Sequence, residues 1–265
     1  MGKGILYSVI SITLYYLIIT GFGYLITFIF TTEYFLNVNE AYFLFIDSII
    51  YLIFICLAIF FIRKFSKTSI LGSKISPNFI LKILFFIIIF RFMEDPMLNI
   101  DIVFGNEIIP VGENQNSTIT MELISTFLGI VLLGPIFEEL FFRQIILSFF
   151  GRKYLITGVL VSSVLFALIH INISSINYIS VILSFAFGIV ACLIYFKKGL
   201  YYSILFHVGY NFFWFLLKEF RFEYWSILKK LDFGIGYWLI TIGSLIAVLY
   251  FSYSNFKRVI YKEDE

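Results

Sequence analysis

ITMELISTFLGIVLLGPIFEELFFRQIILS, residues 119–148, is an almost unbroken apolar run with Glu138, Glu139 and Arg143 set in its second half. Its length fits a helix crossing a hydrocarbon core about 30 Å thick, with some tilt. The surrounding chain has the same character. Hydrophobic residues make up 61% of the 265 positions and charged residues only 14%, against about 25% charge in an ordinary soluble domain. A globule of this size could not bury that much apolar surface, whereas a bilayer can.

Working outward from that run, further apolar spans are read at 5–30, 42–62, 79–93, 155–171, 176–196, 200–217 and 233–251. Together they predict an all-α fold, a polytopic membrane bundle of about eight transmembrane helices. The third span is short, so tilt or a break near Pro77 or Pro96 is expected. No repeat and no Pro/Ser-rich linker interrupts the chain, so residues 1–265 are one integral membrane domain. The first span is long for a signal-peptide core, and no small-x-small cleavage site follows it. Of the 35 Phe and 18 Tyr, Tyr suits the interface, and many Phe are expected to face lipid.

The loops alternate in charge. Arg63, Lys64, Lys67 and Lys74 follow the second span, and Glu94, Asp95, Asp101, Glu107 and Glu113 follow the third. Arg152 and Lys153, Lys197 and Lys198, then Lys257, Arg258 and Lys262 follow the fourth, sixth and last. Basic loops stay cytoplasmic, which predicts a multi-pass protein of the cell membrane with both termini in the cytoplasm. The loop with Lys218, Arg221, Lys229 and Lys230 runs against this sense, although Glu219, Glu223 and Asp232 are mixed into it. A net charge of +2 argues against nucleic acid as a partner. Cys56 and Cys192 lie in apolar runs and make neither a disulfide framework nor a Cys-type zinc site. Asn116-Ser117-Thr118 matches a glycosylation acceptor, a triplet common by chance.

Ionisable groups inside a membrane point to function, because even the gentler insertion scales charge about 2.5–3.5 kcal/mol for a central carboxylate. Glu139 and Arg143 are four apart on one helix face, in the favourable order, and their pairing reduces the desolvation cost of both. Glu138 is turned about 100° away and has no local partner, which suits a general base. The plain alternative is a helix end that has reached the headgroups. His170, in Phe166-x-x-x-His170, and His207, in His207-x-x-x-Asn211, are the chain's two histidines, each in an apolar span. Alone, each could be an interhelical packing contact. Together they come from three helices at compatible depths. Glu138 lies roughly 18 Å, His170 24 Å and His207 12 Å along their helices from one face at 1.5 Å per residue. The match in depth requires the fourth helix to continue well past Glu139.

Glu138-Glu139-x-x-x-Arg143, Phe166-x-x-x-His170 and His207-x-x-x-Asn211, in that order, resemble the three motifs of the CAAX-protease and bacteriocin-processing (CPBP, or Abi) family. That family is related to the type II CAAX prenyl endopeptidases. The resemblance covers about 119–217, a CPBP-like catalytic core. Gln144 departs from it, since many members have Gly after the Arg. The resemblance implies an eight-helix intramembrane endopeptidase with catalytic residues Glu138, His170, His207 and Asn211. Glu138 would activate water with help from His170, while His207 and Asn211 would hold the oxyanion. Glu139, Arg143 and Phe166 would be supporting residues. A base beside the water and donors aimed at the tetrahedral oxygen are what peptide hydrolysis needs. Glu138, His170 and His207 would also make a His₂Glu set for zinc. With no His-Glu-x-x-His helix, the expectation leans to no tightly bound metal.

The partners expected are the lipid bilayer and a peptide or membrane-protein tail, with roles in bacteriocin maturation or self-immunity. Two other classes remain open at the level of sequence. One is a non-catalytic immunity or binding protein on the same scaffold. The other is a transporter or proton relay, for which internal repeats would be expected.

Overall fold

In hydrocarbon a backbone amide finds no water, so an apolar run of this length satisfies its polar groups only as a helix. The computed structural model describes residues 1–30, 40–65, 76–105, 121–150, 152–171, 177–219, 221–230 and 233–261. It is all-helical, with no strand among the described residues. In chain order the longer helices are α1 (Gly2–Phe30), α2 (Glu40–Phe65), α3 (Pro77–Leu98), a long α4, α5 (Leu155–Ile169), α6 (Tyr178–Lys198), α7 (Leu200–Glu219), α8 (Arg221–Lys230) and α9 (Ile235–Tyr261), with single turns at Ile100–Val103, which holds Asp101, and Arg152–Tyr154. Lys67, Lys74, Glu107, Glu113, the triplet at 116–118, Ile119, Ile176, Asp232 and Lys262 lie outside the described residues.

α4 does not stop at Glu139. It is continuous from Met121 through Ile146, in alternating α and π geometry. Met121–Thr126 and Gly134–Glu139 are α-helical, while Phe127–Leu133 and Leu140–Ile146 are π-helical. The π turns bond i to i+5, so the Gly134 N–H donates to the Gly129 carbonyl. Such wide turns are rare and concentrate at functional sites.

Among the described residues, four stretches are long and apolar enough to cross a membrane: Leu123–Ile146, Tyr178–Lys198, Leu200–Leu217 and Ile235–Lys257. The other expected spans do not meet that measure among the described residues. α5 has 15 residues and spans about 22 Å. α3 carries Lys82, Arg91, Glu94 and Asp95. Within the 29-residue α1, Gly2–Ile18 is an apolar helical stretch. Leu17, Phe60, Leu81, Ile182, Leu239 and Leu249 are exposed, as the lipid-facing side of a multi-pass protein requires.

α3 needs two corrections. Pro77 begins it, where a missing N–H costs nothing, and Pro96 sits in its last turn, so the helix runs unbroken. Glu94 and Asp95 belong to this helix and not to an acidic loop. Glu94 is 1% exposed.

α4 is flanked by α2 and α7, α6 lies between α5 and α7, and α3 packs on α7 and α9. Gly199, at φ 96, makes the sharp turn from α6 into α7, since a left-handed backbone suits a residue without Cβ. The core is aromatic. Phe90, Phe142, Phe166, Phe187 and Phe206 are all buried, so many Phe fill the interior while others, such as Phe60 and Phe85, face outward.

Candidate active site

The short spacing inside each motif has a local cause. α5 ends at Ile169, and His170 caps it. The last carbonyls of a helix have no partner within it. His170 Nδ1 supplies one, 2.8 Å from the Phe166 carbonyl oxygen four residues back. The two rings also lie 4.5 Å apart. Because a carbonyl only accepts, Nδ1 carries the proton and Nε2 offers its lone pair when the ring is neutral.

His207 is fixed in the same way from the opposite side. Its Nδ1 donates to Glu139 Oε1 at 3.0 Å, which again leaves Nε2 as the free nitrogen. Phe187 and Phe166 wall the ring at 4.8 and 5.6 Å. Both Glu139 and Arg143 are wholly buried, and Arg143 Nε sits 3.2 Å from Glu139 Oε2. The guanidinium lies 4.9 Å from the Phe166 ring centroid, a favourable cation–π placement. Glu139 therefore links Arg143 to His207 and makes no contact of its own with Glu138 among the interactions described.

Glu138 is the carboxylate that the two free nitrogens face. Its Oε2 is 3.9 Å from His170 Nε2 and 3.8 Å from His207 Nε2. That oxygen is buried and has no hydrogen-bond partner. Both separations are too long for direct hydrogen bonds, yet they leave room for a water oxygen about 2.8 Å from the carboxylate and an imidazole. They exceed the spacing of about 3.4 Å between two ligands of one tetrahedral zinc. Among the described residues, no group of three His, Cys, Asp or Glu could hold a metal ion. The donor types suit zinc, but their spacing does not close into a zinc shell.

Asn211 lies one turn beyond His207, and its side-chain amide donates to the Ile130 carbonyl at 2.9 Å. Ile130 belongs to the first π stretch of α4. One amide N–H is thus used to hold α4, which leaves the second for other work. α7 grips α4 at two points, Glu139 through His207 and Ile130 through Asn211. Gln144 is buried and accepts from the Tyr195 hydroxyl at 2.9 Å, a packing role between α4 and α6.

The N-terminal helices also reach this region. Tyr15 of α1 stacks on Phe137 at 5.7 Å and lies within electrostatic reach of Glu138. Tyr51 of α2 packs near Gly134. Sequence reading also passed over Arg91, whose guanidinium donates to Tyr210 of α7 at 2.9 Å. The available signal was a cation deep inside the third apolar span, nine residues beyond Lys82.

Residues 120–213, about a third of the chain, match the family model described as Type II CAAX prenyl endopeptidase Rce1-like. The matched segment holds all three motifs and supports the CPBP, or CAAX-protease, family for this chain. No curated protein and no solved structure matches it.

Proposed function

We propose that this chain, on its likeness to the type II CAAX prenyl endopeptidases, is an intramembrane endopeptidase in which Glu138 activates water against a peptide bond. The observation that supports this most is the triangle itself. One unpartnered carboxylate oxygen faces two imidazole nitrogens, each ring held in register by its other nitrogen. Glu138 takes a proton from the water as its oxygen bonds to the scissile carbonyl carbon. His170 steadies that water. The second N–H of Asn211 faces the oxyanion, and His207 joins it as a donor from Nε2 only when the ring carries both protons, Nδ1–H on Glu139 and Nε2–H on the oxyanion. As the C–N bond breaks, the proton held by Glu138 passes to the leaving amine. Glu139 and Arg143 keep His207 in place. No Ser or Cys nucleophile is required.

The substrate on this reading is a peptide or the tail of another membrane protein. A prenylated CAAX tail and a bacteriocin precursor are the two chemistries to try. The basic loops support a cytoplasmic side for both termini. Glu138→Gln keeps the shape and removes the base, with an expected loss of about 10²–10⁴-fold in cleavage. Comparative peptidomics of membranes carrying wild type or Glu138→Gln tests it on whatever substrates those membranes hold. A peptide or trimmed tail should appear only with the wild type. Identical peptide profiles would overturn the reading, and a phenotype kept by the variant would indicate a binding or immunity protein.

A further inference from the structure

We propose that Arg91, Glu94 and Tyr210 form a buried clamp between α3 and α7 that sets the rotation of α7 and so aims His207 and Asn211. Its effect on cleavage rests on the endopeptidase reading, but its effect on His207 does not. Arg91 Nη1 lies 3.2 Å from Glu94 Oε2 and donates to the Tyr210 hydroxyl at 2.9 Å. The Tyr210 hydroxyl in turn donates to Glu94 Oε2. The three groups close a ring of contacts, and the guanidinium also lies 4.9 Å from the Tyr210 ring centroid.

Nothing local explains this cluster. Arg91 precedes Glu94, the less favourable order on a helix. Glu94 lies near the C-terminal end of α3, where the helix dipole disfavours a carboxylate. A buried ion pair is also poor as a source of stability, since desolvation can exceed the attraction. What the cluster does is geometric. Tyr210 comes three residues after His207 and immediately before Asn211, so holding its hydroxyl holds the turn that carries both.

Three further observations point the same way. A Cβ on Gly209 would stand 2.6 Å from Ile87 Cδ1, so the glycine beside Tyr210 admits the close approach of α7 to α3. Phe187 touches the His207 and Tyr210 rings equally, at 4.8 Å each, and transmits a shift of one to the other. α3 is itself anchored, because Asp95 accepts from the hydroxyls of Tyr224 in α8 at 2.8 Å and Tyr237 in α9 at 3.0 Å. A 20° rotation of α7 would move a side-chain tip about 6 Å from the axis by about 2 Å. That is more than the His207–Glu139 hydrogen bond tolerates.

The chain's two histidines make the test clean. Tyr210→Phe keeps the ring against Phe90 and Phe187 and deletes only the hydroxyl. In ¹⁵N-histidine NMR of the full-length protein in nanodiscs at fixed pH, the His207 Nδ1 resonance should shift while that of His170 stays. With an internally quenched farnesylated CAAX peptide as probe, kcat should fall about ten- to hundredfold with KM unchanged. Glu94→Gln, which keeps an acceptor for both partners, should fall between. If Tyr210→Phe leaves both resonances and kcat at wild-type values, the clamp does not position His207. A lower melting temperature with unchanged kcat and unchanged resonances would reduce it to packing and equally overturn the proposal. If the wild type cleaves no peptide, the endopeptidase reading fails, and the His207 resonance alone decides this one.

Discussion

Among the described residues, two buried Arg–Glu pairs are tied to α7, one in α4 and one in α3. In α4, Glu139 precedes Arg143 by four residues, neither is exposed, and the carboxylate holds His207. In α3, Arg91 precedes Glu94 by three, and the carboxylate takes the Tyr210 hydroxyl. The first pair has the helically favoured order, and its partners are local before they are tertiary. The second runs against that order and is held by Tyr210, more than a hundred positions away. Local chemistry can announce a charge pair only when the pair is locally favourable. A pair justified by tertiary partners is invisible to spacing.

The comparison makes an energetic claim that can be broken. Arg143→Ala strips a wholly buried carboxylate of its cation, and leaving one charge of a buried pair unmatched costs about 3–5 kcal/mol. Unfolding of the purified protein in mixed micelles, followed by helicity, should show that loss, and detergent-extracted yield should drop with it. Arg91→Ala should cost less, roughly 1–3 kcal/mol, because Glu94 keeps the Tyr210 hydroxyl and the Arg91 side chain is already 10% exposed. If Arg91→Ala proves the more damaging of the two, the ranking is reversed and α3, not α4, carries the critical pair.

The same contrast explains what was legible. The helical membrane class followed from apolar run length. Three motifs and a fourth helix continuing past Glu139 followed from spacing and depth. The Phe166–His170 spacing is the reach of an imidazole to the i−4 carbonyl at a helix end, so that motif is local structure written in sequence. The π turns of α4 were not legible, because no residue pattern in Phe127–Leu133 distinguishes i+5 from i+4 bonding. Glu94 and Asp95 were misplaced in a loop because charge was counted along the chain, whereas Tyr210, Tyr224 and Tyr237 shelter those charges from elsewhere. Glu139 was read as a supporting residue, but its bond to His207 could not be seen in spacing, because it is set by how α7 packs on α4. Of the expected spans, the fifth is a short helix and the third carries four charges, features that a hydrophobic window smooths over.

The smallest expected effect marks the outer edge of the α4 pair's influence. Gln144 follows Arg143 directly, yet its side chain turns to α6 and accepts from the Tyr195 hydroxyl. That bond joins two helices without touching Glu138, His170 or His207. Tyr195→Phe removes one neutral hydrogen bond and no volume from the core, which is worth about 1 kcal/mol. Gln144 keeps a further interaction of its own. Unfolding of Tyr195→Phe beside Arg143→Ala should show a several-fold smaller loss, with cleavage per folded molecule unchanged. A tenfold fall in cleavage without loss of stability would mean that Gln144 acts on the site through Arg143. The α4 pair would then extend across to α6, and the separation between motif chemistry and packing drawn at Arg143 would have to move one residue further.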